Sequence, residues 1–156
     1  MRVHYASPLR RSRETAEIIA TQLGFPLERI LTDSRIRERM NWPGQQQQSL
    51  EAFEAEWTRA TADRRFDPTF GDSSIVAGER FESFIRELSA LWQSGSVIVV
   101  SHGGVTLDLV RTIFGDAELA AHGIDVLRDG IRACHLTEIS VQSDEFILIA
   151  FGRKFT

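Results

Sequence analysis

Val97-Ile98-Val99-Val100-Ser101-His102-Gly103-Gly104 is the stretch on which the architecture turns. Four consecutive β-branched residues, with turn signals on either side, read as a strand buried on both faces of a parallel sheet. Val105, Leu109 and Ile113 then recur at helical spacing, and Gly115 closes the run. A buried strand that feeds a helix through two glycines is one half of an α/β repeat.

Working outward, the same alternation returns. Residues 2–6 read as a short strand, Ser7 as the cap of the next helix and Pro8 as its first residue. Leu9, Ala16, Ile19, Ala20 and Leu23 supply its core face, and Gly24-Phe25-Pro26 stops it. Residues 29–32 suggest a second strand, and 33–48 a charged, solvated loop ending in four glutamines. Leu50, Phe53 and Trp57 predict a helix from 49 to about 63, with a loop over 64–75. Phe81, Phe84, Ile85, Leu88, Leu91 and Trp92 form the apolar stripe of a long helix ending near Gly95. Residues 133–140 and 146–151 read as two late strands. The expectation is a single α/β domain over 1–156: three layers, a mostly parallel sheet, and helices on both faces.

Composition sets the outer limits. A chain of 156 residues with 42% apolar side chains is long enough to bury one core without staples. Cys134 is the only cysteine, so neither a disulfide framework nor a thiolate zinc site is expected. Eighteen basic against 22 acidic side chains, a net charge of −4, argue against nucleic acid or an anionic membrane as partner. No apolar run of membrane-spanning length and no leader-like start occur in these residues, and a cytoplasmic location is the expectation. No metal-ligand spacing, Walker loop or nucleophile elbow is present, so no metal or cofactor is expected.

Two segments carry chemistry. His102 stands where a strand ends and a helix begins, the rim on which α/β sheets bind ligands. The bare amides of Gly103 and Gly104 at that helix start suit an anion. A strand-end histidine that merely bonds a carbonyl is the plainer alternative. The second segment, Ser7-Pro8-Leu9-Arg10-Arg11-Ser12-Arg13-Glu14-Thr15-Ala16, also leaves a strand for a helix, so it shares the rim. Arg11 can grip phosphate with its planar fork, although alone the run would read as a solvated basic face beside Glu14 and Glu17.

Taken together, the two segments resemble the histidine phosphatase (phosphoglycerate-mutase-like) superfamily. Ser7-Pro8-Leu9 through Thr15-Ala16 is similar to that family's phosphate-binding segment, which places its arginine on Arg11. Ile36-Arg37-Glu38-Arg39-Met40-Asn41-Trp42-Pro43-Gly44 resembles its acid loop, with Glu38 as proton donor, although Asn41-Trp42-Pro43 departs from the usual residues. Gly78-Glu79-Arg80 resembles a Gly-Glu-Ser segment in which Arg80 replaces the serine. Ser101-His102-Gly103-Gly104-Val105 matches the second-histidine motif, and Gly130-Ile131-Arg132-Ala133-Cys134 the late turn into an edge strand.

The resemblance implies hydrolysis of a small phosphomonoester through a phosphohistidine. Arg11, His102 and the Gly103 amide would bind phosphate oxygens, and Glu38 would protonate the leaving alkoxide. The family's nucleophile belongs to an Arg-His-Gly triplet, and no such triplet occurs here: His4 follows Val3, and His122 and His135 match no motif. The expectations that follow are an N-terminally incomplete domain, with an absent strand between 2–6 and 97–100, and weak or no turnover. An open slot of that kind would favour strand exchange between copies, making a homo-oligomer. A non-catalytic phosphate-ligand or interaction module is the alternative function, and a mutase ranks below both.

Overall fold

The computed structural model describes residues 2–92, 94–142 and 145–154, with residues 2–4 described by backbone alone. In chain order the elements are β1 (Arg2–Ala6), α1 (Arg10–Gln22), β2 (Leu31–Thr32), α2 (Leu50–Ala62), α3 (Ser74–Leu91) and β3 (Val97–Val100). α4 (Gly103–Phe114), α5 (Asp116–Ala121), β4 (His135–Gln142) and β5 (Glu145–Lys154) complete the chain, and short 3-10 turns cover Leu27–Arg29 and Ser34–Ile36.

β1 pairs in parallel with β2 on one side and β3 on the other, giving the order β2-β1-β3, while β4 and β5 form a separate antiparallel pair. The pleat sorts the sheet's side chains into two cores. Tyr5, Val97 and Val99 pack on the α3–α4 face against Phe81, Phe84, Leu88, Val105 and Leu109. Ala6, Ile98 and Val100 pack on the opposite face against Ala16, Ala20 and Ile19 of α1. Helices therefore cover both faces, as expected from the sequence. The β4–β5 hairpin contributes Ile139, Leu148 and Phe151 to a third cluster on the far side of α4, around Leu107, Val110 and Leu119. No helix among the described residues is long and apolar enough to cross a membrane.

Several expectations are corrected. No slot for an absent strand separates residues 2–6 from 97–100, because the two strands pair directly: Val3 is registered with Ile98, Tyr5 with Val99 and Ala6 with Val100. The register slips by one residue at His4, so that position is the extra residue of a bulge. Among the described residues β3 has a single neighbouring strand, and its four residues are half-buried rather than enclosed. Ser7 caps no helix: α1 begins at Arg10, and Leu9 precedes it without a side-chain cap. Leu23 ends α1 48% exposed, because the buried stripe is Ser12, Ala16 and Ala20. The serines read as loop signals near 73 instead start α3, with the Ser73 hydroxyl accepting from the Val76 amide. α5 was not foreseen.

Candidate active site

Parallel pairing of β1 with β3 brings their carboxyl ends to one rim, and the Ser7 amide extends the ladder by donating to the Val100 carbonyl at 2.9 Å. His102 therefore faces the start of α1. Its Nδ1 accepts from Arg11 Nε at 3.1 Å, and its Nε2 lies 2.8 Å from Ser7 Oγ and 3.2 Å from Ser12 Oγ. A guanidinium only donates, so Nδ1 carries the lone pair and the proton sits on Nε2. Ser7 Oγ accepts that proton and also the Leu9 amide's, at 3.3 Å. Ser12 Oγ donates to the Ser101 carbonyl at 3.4 Å. His102 is only 9% exposed. Burial, with the charges of Arg11 and Arg80 behind it, pushes its pKa down to about 4, so the ring is neutral at pH 7.

Glu38 comes to the same helix start from the acid loop. Its Oε1 accepts from the Val105 amide at 2.8 Å and the Arg39 amide at 2.9 Å, and its Oε2 from the Gly104 amide at 3.2 Å. Burial raises its pKa, and that outweighs the amide bonds and the Arg39 charge that favour the carboxylate. The sequence reading left both glycine amides open to an anion; the structure gives the Gly104 amide to Glu38. The glycines are small for a further reason. A Cβ on Gly103 would lie 2.3 Å from the Ile131 carbonyl oxygen, and one on Gly104 would lie 2.6 Å from the Trp57 ring and 2.7 Å from Glu38 Oε1.

Arg11, Glu38, His102 and Gly103 thus gather at one rim, with direct contact between Arg11 and His102. Three neighbours escaped the sequence reading. Ser12 looked like one residue of a basic run, and Asn41 counted only as a departure from a pattern. Asn41 Oδ1 accepts from the exposed Arg11 guanidinium at 3.0 Å and ties the acid loop to α1. Arg39 looked like surface charge, yet it is 1% exposed. It pairs with Asp108 Oδ1 at 3.0 Å, stacks 4.2 Å above the Trp57 ring, and donates to the Trp57 carbonyl and the Thr61 hydroxyl. Asp108, wholly buried, also accepts from Ser74 Oγ at 2.6 Å.

An open depression of about 550 Å³ on α2, lined by Phe53, Glu54, Trp57 and Thr58, shares only Trp57 with this constellation. Among the described residues no group of three His, Cys, Asp or Glu side chains could hold a metal ion. The His4 side chain lies outside the described residues.

Comparison with known proteins follows the same lines. The model of the histidine phosphatase superfamily (branch 1) matches residues 1–153. The chain is 32% identical over 149 residues to the "Probable phosphoglycerate mutase GpmB" of Escherichia fergusonii, which covers 91% of this chain but 64% of that protein. It is 30% identical over 126 residues to phosphoglycerate mutase-like protein 4 of Arabidopsis thaliana, covering 78% and 52% respectively. This chain therefore spans less than two thirds of the curated relatives' length. Its fold is similar to that of a mycobacterial glucosyl-3-phosphoglycerate phosphatase solved with inorganic phosphate, with a TM-score of 0.69 at 20% identity, covering 97% of this chain and 77% of that one. It is also similar to Bacillus stearothermophilus YhfR, with a TM-score of 0.71 at 22% identity, covering 98% and 74%.

Proposed function

The chain belongs to the histidine phosphatase superfamily, and from that premise we propose that its rim is a phosphomonoester site in which Arg11, His102 and the Gly103 amide hold the phosphoryl group and Glu38 is the acid. One observation carries the reading: the Arg11 Nε to His102 Nδ1 contact of 3.1 Å, a cation resting on the lone pair of a neutral imidazole. A phosphate dianion between them satisfies both better. The Arg11 fork turns to two phosphoryl oxygens, and Nδ1 takes up a proton and donates to a third. Glu38 stands at the same helix start with its pKa raised, the state a general acid needs to protonate a departing alkoxide. Positive charge at the site then stabilises the negative charge that develops during phosphoryl transfer.

The superfamily's attacking imidazole comes from an Arg-His-Gly triplet, which these 156 residues do not contain. A form carrying that triplet hydrolyses a small phosphomonoester through a phosphohistidine; the 156 residues bind phosphate and turn monoesters over weakly or not at all. The second reading, a phosphate-ligand module without catalysis, is favoured by the same missing triplet.

Calorimetric titration with inorganic phosphate, alongside an aryl phosphate assay, tests the proposal. Binding that is lost in both Arg11→Ala and His102→Ala is expected. Wild-type chain that binds no phosphate ends the site assignment. Strong turnover that survives His102→Ala ends the assignment of roles.

A further inference from the structure

Arg80, the residue standing where the resemblance leads one to expect serine, divides its guanidinium between Asp72 and the backbone of the segment that carries Glu38. Nε donates to Asp72 Oδ2 at 3.0 Å, one terminal nitrogen to the Arg35 carbonyl, and the other to the carbonyl of Glu38 itself at 3.2 Å. The side chain is 12% exposed. Other supports of the loop converge on the same carboxylate. Arg37 reaches Asp72 Oδ2 at 2.7 Å, and the Asp72 amide donates to the Arg39 carbonyl at 2.7 Å. Gly71, at φ +107°, passes so close beneath that a Cβ would lie 2.3 Å from the Arg39 oxygen.

We infer that Arg80 is a positioning residue of this site: it fixes the backbone at Glu38 so that the carboxylate stays on the Gly104 and Val105 amides, and it stations a shielded positive charge near His102. The inference rests on the proposed roles of Glu38 and His102. Two arginines share the one Asp72 carboxylate, so the cluster keeps a net positive charge. That charge acts on His102 together with Arg11's. Burial and the neighbouring Arg37 charge push Arg80's own pKa down, yet a guanidinium remains protonated at any working pH. A serine could supply neither the charge nor the reach across three acceptors. A lysine would keep the charge, but its compact ammonium lacks the planar fork that spans them. The two parts of the role are therefore separable by substitution.

The test uses the intact chain without ligand and two NMR readouts: hydrogen exchange at the Gly104 and Val105 amides, and the His102 imidazole titration. In Arg80→Lys, exchange at both amides should quicken about tenfold, while the His102 pKa stays at its wild-type value. In Arg80→Gln, exchange should quicken equally and the His102 pKa should rise by about half a unit. Unchanged protection of both amides in both variants, or a His102 titration in Arg80→Gln that overlays wild type, overturns the inference. Should Arg80→Gln not fold, Asp72→Asn replaces it. By unmasking the Arg80 charge and freeing the loop, that change should lower the His102 pKa and quicken the same exchange; no change in either is equally fatal. Phosphate titration of the wild type is scored separately. Its failure removes the proposed function and leaves the Arg80 measurements intact.

Discussion

Acidification should weaken the fold through His102, and a variant can isolate the effect. In the unfolded chain the imidazole titrates near its ordinary 6.5, whereas in the fold burial and the Arg11 and Arg80 charges hold it near 4. Below pH 6.5 the unfolded state gains a proton that the folded state refuses, so stability falls as pH drops from about 6.5 and levels off near 4. At about 1.4 kcal/mol per unit, the full gap costs about 3.5 kcal/mol, of which about 2 kcal/mol is lost by pH 5 and about 3 kcal/mol by pH 4. A domain held by roughly 5–15 kcal/mol would register that plainly. Glu38 and Asp108, whose burial raises their pKa, pull the other way as pH falls, so the bare profile of the wild type mixes opposing terms. His102→Gln keeps the carboxylates and removes only this titration. Urea unfolding of both proteins at several pH values between 7 and 4 gives the difference directly. The variant starts less stable at pH 7, having lost the Arg11 and Ser7 contacts, and the wild type's lead should shrink by about 3 kcal/mol toward pH 4. Saturating phosphate, which favours the imidazolium, should abolish most of the shrinkage. A lead that does not change with pH, or an imidazole that titrates near 6.5 in the folded protein, refutes the reasoning.

Two further outcomes concern the frame behind the site. Arg39→Met leaves the wholly buried Asp108 unpaired, and the expected loss is about 3–5 kcal/mol by chemical denaturation. Adding Asp108→Asn should recover part of it, and a double variant no better than the single one would show that the pair is not coupled. Gly78→Ala forces a Cβ to within 2.1 Å of Thr112 Oγ1 and 2.6 Å of the Asp108 carbonyl, so α3 and α4 must part at a cost of about 1–3 kcal/mol. A variant melting with the wild type would mean the two helices separate freely.

Much of this was legible in the sequence, for reasons that also mark its limits. The Val97–Val100 run, the two glycines after His102 and the helical stripe beyond them state strand, turn and helix in local terms. What stayed hidden depends on pairing across the chain. Ser7 looks like a helix cap because a hydroxyl before proline is a good one, yet β3 sets His102 beside it and claims the oxygen. Arg39 sits in a run of charges that suggests solvent, and its burial becomes tolerable through partners distant in the chain, Asp108 69 residues away among them. A slot for an absent strand was expected between β1 and β3 on the family resemblance, and nothing in Val97–Val100 could correct it, because an apolar run does not name its neighbour. The six residues of α5 carry too little periodicity to announce a helix.

The bonds that make the rim are long in another sense. His102 meets Arg11, Ser12 and Ser7 across 91, 90 and 95 positions of chain, whereas β4 and β5 are nearly adjacent. On a ribosome adding about 5–20 residues per second, Ser7 and Arg11 emerge roughly 5–20 s before their partner exists. The hairpin can close locally as soon as it is made, but the rim must await the closure of a loop of 90 residues or more. During that interval β1 has β2 to pair with but not β3, and its arginine-rich sequel has no imidazole to rest on. The proposed anion site therefore cannot be completed before residue 102 has been added, and a stalled or truncated translation product ending before residue 97 would own its cations but no pocket.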